Sequence, residues 1–186
     1  MSNVPELENL ILNIDQQLAG VVDRAARVEQ RTAAGREEMK RYILVRIGVL
    51  SLAIAIEDLS EVGPLPAITF LPNLPAWIQG IVNIRSEIVS IIDFGGFLGV
   101  AGRGCDGNRL AVVRHDKRKI GIRLDHIIGT VNKAVSATKP IDLFDKHPMN
   151  TSLFTASLPV DQNCYYLLDV PGLMTASRLV DYNGKG

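Results

Sequence analysis

The sequence predicts a mainly β protein, an all-β barrel or pair of barrels, preceded by one amphipathic helix. Three observations carry that prediction. Past residue 40 the apolar residues alternate or gather in short runs, the pattern of strands rather than helices. Gly and Pro, 16 and 9 in number, break those runs at close intervals. Before residue 40 the period is helical: Leu7, Ile11, Ile14, Leu18, Val21, Ala25 and Val28 follow one another at spacings of 4, 3, 4, 3, 4 and 3.

That stripe, widened by Leu10 and Val22, marks residues 1–38 as an N-terminal helical extension. Ser2 or Asn3 suits its cap, with Pro5 and Glu6 in the first turn and Gly35 near its end. Exposed apolar surface costs on the order of 25 cal/mol per Å², so something covers the stripe. The domain itself, a second copy and a partner helix are the three candidates, and self-association is the working expectation. Residues 39–186 form the β domain. Strands are expected at 41–48 and 50–56, joined at Gly48. A loop marked by Pro64, Pro66, Pro72 and Pro75 follows, with one helical turn at 73–79. Further strands are expected at 80–85, 87–93, 109–115, 119–124 and 125–131. A polar connection over 132–150 leads to strands at 152–158 and 164–169 and a short C-terminal helix over 170–181. Gly95, Gly96, Gly99, Gly102 and Gly104 read as a flexible link between barrels. No internal repeat is visible.

The chain's 186 residues suit one compact domain with a sizeable core. Lys and Arg number 20, as do Asp and Glu. That balance argues against a general nucleic-acid binder, which needs a basic excess. No run reaches about 18 apolar residues, the length that crosses a bilayer. The opening MSNVPELENL has no basic segment followed by an apolar one, and Cys105 and Cys164 are too few for a disulfide framework. A cytoplasmic protein with free thiols is expected. His115, His126 and His147 are scattered, no Cys-x-x-Cys occurs, and the glycines fit no phosphate-binding spacing. No catalytic residue, metal or cofactor is expected.

The most specific stretch is 71–94, LPNLPAWIQGIVNIRSEIVSIIDF. Its Asn73, Pro75, Trp77, Ile78, Gly80, Asn83, Ile84, Arg85, Ile88, Val89, Ile91, Ile92, Asp93 and Phe94 fill the positions of a signature. The stretch resembles the signature of CheW-like domains, the coupling proteins of bacterial chemosensory systems. It departs at Ser86, where that family usually has Gly, and at Ser90, where it usually has Pro. The likeness continues at Leu59-Ser60-Glu61-Val62, at Leu124-Asp125-His126-Ile127-Ile128-Gly129, and at Leu167-Leu168-Asp169-Val170 with Leu173. The resemblance implies two SH3-like five-stranded β-barrels sharing a hydrophobic core. It implies a non-enzymatic adaptor recruited to membrane-bound receptor arrays. Its partners would be the regulatory domain of a CheA-type histidine kinase and the cytoplasmic tip of a methyl-accepting chemotaxis receptor. The output, flagellar, pilus or other, is left open.

Four residues are carried over as partner-binding candidates: Arg85, Glu61, Gly80 and Asn83. At a hairpin tip, the Arg85 guanidinium can meet carboxylates or carbonyls in a forked geometry; a solvated charge paired with Glu87 is the plainer reading. Glu61 also reads as an ordinary strand carboxylate, Gly80 as a backbone position without room for a Cβ, and Asn83 as a local hairpin partner. Trp77 reads chiefly as core packing, and Asp93 and Asp125 as structural carboxylates at strand ends. The competing function is a small β-barrel that binds nucleic acid or oligosaccharide. It would need aromatic and basic residues grouped on one sheet face, whereas aromatics are only 5% of the chain and the central strands are aliphatic.

Overall fold

The computed structural model describes residues 37–99, 107–141 and 151–179. The helix expected over 1–38 lies outside them. The described chain forms two five-stranded sheets. One contains β1 (Met39–Ile47), β2 (Leu50–Ala55), β8 (His126–Ala134), β9 (Phe154–Val160) and β10 (Asn163–Leu168), in the order β8-β1-β2-β10-β9. The other contains β3 (Leu59–Pro64), β4 (Ile78–Ile84), β5 (Glu87–Ile92), β6 (Arg109–His115) and β7 (Arg118–Leu124), in the order β3-β6-β7-β5-β4. A short helix follows the edge hairpin of each sheet: α1 (Phe94–Leu98) after β5 and α2 (Val170–Thr175) after β10.

The two sheets share one topology. Each is antiparallel except for a single parallel step, β10 beside β2 and β5 beside β7. Reading β8, β9, β10, β1, β2 against β3, β4, β5, β6, β7 reproduces the neighbour order. The molecule is thus a repeated unit whose second copy takes β1 and β2 from the start of the domain. The sequence hides this repeat because topology, not residue identity, is what recurs.

Closed barrels were expected; the sheets are open. Their outermost strands, β8 with β9 and β3 with β4, do not pair with each other. Instead the chain leading into β4 and into β9 covers that strand. Thr69 bridges Ile81, and Lys139 bridges Ser157. A loop that satisfies an edge strand's N–H and C=O groups removes the need for closure.

Three apolar clusters explain why the strands read as runs rather than as clean alternation. Tyr42 and Leu44 of β1 pack with Ala53, Ala55, Leu158 and Tyr165 within the first sheet. Val82, Val89, Ile91, Leu110 and Val112 do the same within the second. Alternate residues of the same strands, among them Ile43, Val45, Leu52, Ile54, Ile92 and Val113, build with Ile122 and Leu124 of β7 a third cluster that joins both sheets to α1 and α2. A strand covered on both faces is apolar at every position.

Several boundaries differ from expectation. β3 was not among the expected strands, although Glu61 was read as a strand carboxylate; Pro64, where the proline loop was expected to begin, is its last residue. That fits proline's tolerance at edges. The stretch 73–79 forms turns, not a helical turn, and Ile78 already belongs to β4. β8 extends to Ala134, past the expected start of the polar connection. Gly95 and Gly96 lie inside α1 rather than in a flexible link. Asp93 caps that helix by accepting from Gly96 N–H at 3.2 Å, and Gly99 closes it at φ 73°. The C-terminal helix stops at Thr175, where Ala176 turns extended, and a short helical stretch resumes at 177–179.

Candidate functional site

The site is built on the β4–β5 hairpin. Ile84 pairs with Glu87, which leaves Arg85 and Ser86 as a two-residue loop. Both have positive φ, 50° and 69°. This is the backbone of a type I′ turn, whose twist matches that of the flanking strands. A side chain in this region costs roughly 1–2 kcal/mol, and the turn keeps it at Ser86 rather than relaxing.

The turn lifts Arg85 into solvent, with 85% of its side chain exposed. Its Nε lies 3.3 Å from Oε2 of Glu61, a half-buried residue on β3. β3 and β4 are the two ends of the second sheet, so this ion pair bridges the seam that the strands leave open. Arg85 therefore pairs with Glu61 and not with Glu87. Glu87 pairs with Lys119 at the start of β7. Two small clefts share Glu61 and Arg85 as walls. One, of about 220 Å³, is floored by Val89 and Val112 and edged by Glu87 and Lys119. The other, of about 230 Å³, runs past Pro64, Pro66, Asn83 and Leu110.

The other candidates separate. Asn83 is exposed on β4 beside the second cleft, opposite Ile88. Gly80 is buried at φ 138°, and a Cβ there would stand 2.3 Å from the Thr69 carbonyl oxygen. It lets 68–69 pack against β4, where Thr69 and Ile81 exchange backbone hydrogen bonds of 2.8 and 2.9 Å. Gly80 thus shapes the hairpin from behind and does not line the clefts. Trp77 is core: it is buried and meets Phe97 edge to face at 5.0 Å. Asp125 accepts from Gly48 N–H at 2.5 Å and Gly107 N–H at 3.0 Å, tying the β1–β2 turn to the chain entering β6.

Three features were not anticipated. Ile88 is 72% exposed next to the tip, at the solvent phase of β5. Its alternation with Val89 was the signal. Lys119 joins the charged rim, which required knowing that β5 and β7 are neighbours. Asp58, by a cleft of about 360 Å³ near Lys40, Glu57 and Asp169, has its carboxyl pushed above the ordinary 3.8 by burial and then by the Glu57 charge. Among the described residues no group of three or more His, Cys, Asp or Glu is placed to hold a metal.

Two open five-stranded sheets over a common core, with a charged hairpin tip rather than a cluster of titratable groups, define a small β scaffold. Comparison places it: the CheW-like domain model matches residues 41–178, and the chain belongs to that family. It is similar to Protein PilI of Pseudomonas aeruginosa, with 27% identity over 160 residues, 82% of each chain. It is also similar to the chemotaxis protein CheW of Klebsiella aerogenes, with 22% identity over 147 residues, 78% of this chain and 88% of the relative. The crystal structure of the scaffolding protein TtCheW from Thermoanaerobacter tengcongensis superposes with a TM-score of 0.64 at 20% identity. It covers 73% of this chain and 88% of that one. The structural likeness supports the fold.

Proposed function

We propose that this chain is a non-enzymatic adaptor that couples methyl-accepting chemotaxis receptors to a CheA-type histidine kinase, in a chemotaxis or chemotaxis-like array. Membership of the CheW-like family over residues 41–178 is the observation that carries this reading. Relatives named chemotaxis protein and scaffolding protein support it. The hairpin tip suits such a role chemically. Arg85 sets its Nε 3.3 Å from Glu61 as an ion pair, and its terminal N–H groups, on a side chain 85% exposed, can fork onto a partner's carboxylate or carbonyls. The paired hairpin holds the Arg85 backbone in place, so that binding has only its side chain to order. Arg85, Glu61 and Asn83 are the proposed contacts, with Gly80 holding the hairpin's shape. The protein would work in the cytoplasm and reach the membrane through the receptor; among the described residues no helix is long and apolar enough to cross a bilayer.

The nucleic-acid or oligosaccharide reading gains no support. Stacking platforms need several exposed rings on one face, whereas Tyr42, Trp77, Phe94, Phe97, Phe154 and Tyr165 are buried and Phe70, 74% exposed, is a single ring on a loop. The test is calorimetric titration of the chain with the regulatory domain of the kinase encoded in the same genome. Micromolar affinity, roughly −8 kcal/mol, is expected. Absence of binding to both that domain and the receptor tip rejects the adaptor reading.

A further inference from the structure

The C-terminal segment, which follows the last strand of the first sheet, is fastened to the second at two places, of which the second lies at the base of the hairpin. Arg118, at the start of β7, donates from Nη1 to the Met174 carbonyl of α2 at 3.1 Å. Arg178 donates from Nη1 to the Phe97 carbonyl of α1. The same guanidinium lies over two rings, 5.4 Å from the centroid of Phe97 and 5.9 Å from that of Trp77. Trp77 immediately precedes β4, and its carbonyl accepts from Asp93 N–H, just past β5, at 2.8 Å. Both strands that carry Arg85 are thus rooted at the spot Arg178 covers.

The parts of this contact differ in mobility. Trp77, Phe97, Leu173 and Met174 are buried and belong to the core shared by the two sheets. Arg178 itself is exposed. Its side chain can leave the rings without opening the core, while the aromatic pair stays. Past a bulge between Ile78 and Gly80, close to the root, the hairpin is paired in register from Gly80 with Ile91 to Ile84 with Glu87. Seven residues of β4 span roughly 23 Å, so a small tilt at the root becomes a larger one at Arg85.

We propose that Arg178 is a latch between the two sheets, a positioning residue through which a partner held at the hairpin tip is felt by the C-terminal segment. This rests on the adaptor reading for the partner, but the latch is a property of the chain alone. Trp77 reports on it directly, because the chain has one tryptophan. The full chain is labelled with 5-fluorotryptophan, and its fluorine resonance is followed while the unlabelled regulatory domain of the CheA-type kinase is added.

In the parent chain the resonance shifts on binding. In Arg178→Gln the shift falls by at least half while the affinity stays within threefold. Arg178→Lys, which keeps a cation over the rings, restores part of it. An undiminished shift in Arg178→Gln, or no shift in the parent chain once bound, overturns the latch. If the kinase domain does not bind the parent chain at all, the adaptor reading fails and the free protein decides. Amide exchange at Asp93 and Phe97 then rises at least tenfold in Arg178→Gln, with the β6–β7 amides unchanged. Equal protection in the two chains overturns the latch by itself.

Discussion

Arg85 and Asp58 show how exposure decides what a charged side chain does. Arg85 is so exposed that its pair with Glu61 contributes at most about 1 kcal/mol to folding. Arg85→Ala should therefore leave the melting temperature nearly unchanged while weakening receptor-dependent control of the kinase. A reconstituted kinase assay beside a thermal melt separates the two, and unchanged control in a stably folded variant removes Arg85 from the site. Asp58 behaves in the opposite way. Its carboxyl is raised above 3.8, mainly by burial, with Glu57 adding to the shift and Lys40 and His115 opposing it. The native state therefore holds a proton more tightly than the unfolded chain. Stability falls as pH rises from 3.8 through the folded value, and above it the ionised group is a constant cost. Asp58→Asn should raise the denaturation midpoint at pH 7, and the gain should fade as pH drops toward 3.8. An equal gain at both ends would mean that charge is not the cause.

At the scale of elements, the hairpin turn is where local chemistry and tertiary demand disagree. Arg85 and Ser86 both occupy a conformation that favours Gly or Asn, yet the register of β4 and β5 leaves the loop no other length. Ser86→Gly should stabilise the domain by about 0.5–1 kcal/mol, read from urea unfolding. A loss would show that the Ser86 side chain makes a compensating contact. Most strands were legible because their apolar runs are bounded by Gly, Pro or charge. Arg109–His115 was expected with the boundaries it has. β3 was not, because Ser60, Glu61 and Gly63 break any pattern of burial and its one long pairing is with β6, about fifty residues on in the sequence. α1 was missed for a related reason: two glycines argue against a helix, and only the Asp93 cap and the burial of Phe94, Phe97 and Leu98 outweigh them.

At the scale of the whole molecule, the cluster common to both sheets makes the two sheets one cooperative body. Leu173 on α2 is fully buried in it. Leu173→Ala should cost about 3 kcal/mol. Both sheets should still melt together, so near-ultraviolet and far-ultraviolet transitions coincide. Two separated transitions would mean that the sheets hold themselves up independently. The topological repeat gives each sheet its own inner cluster, yet the helices following the two edge hairpins both enter the common one, and that is where the two copies of the unit become a single structure.

The residues by themselves settled the class of the protein, the places of most strands and the candidate tip residue, because period, turn chemistry and a signature motif are local properties of the chain. Folding alone decided three things: that the sheets stay open, that Arg85 answers Glu61 rather than the nearer Glu87, and that Gly80 sits behind the site. Each depends on which distant segments become neighbours. Edge strands are capped by the loops that lead into them, which must fold back to do so, and an ion pair forms with whichever carboxylate the sheet order brings across the seam.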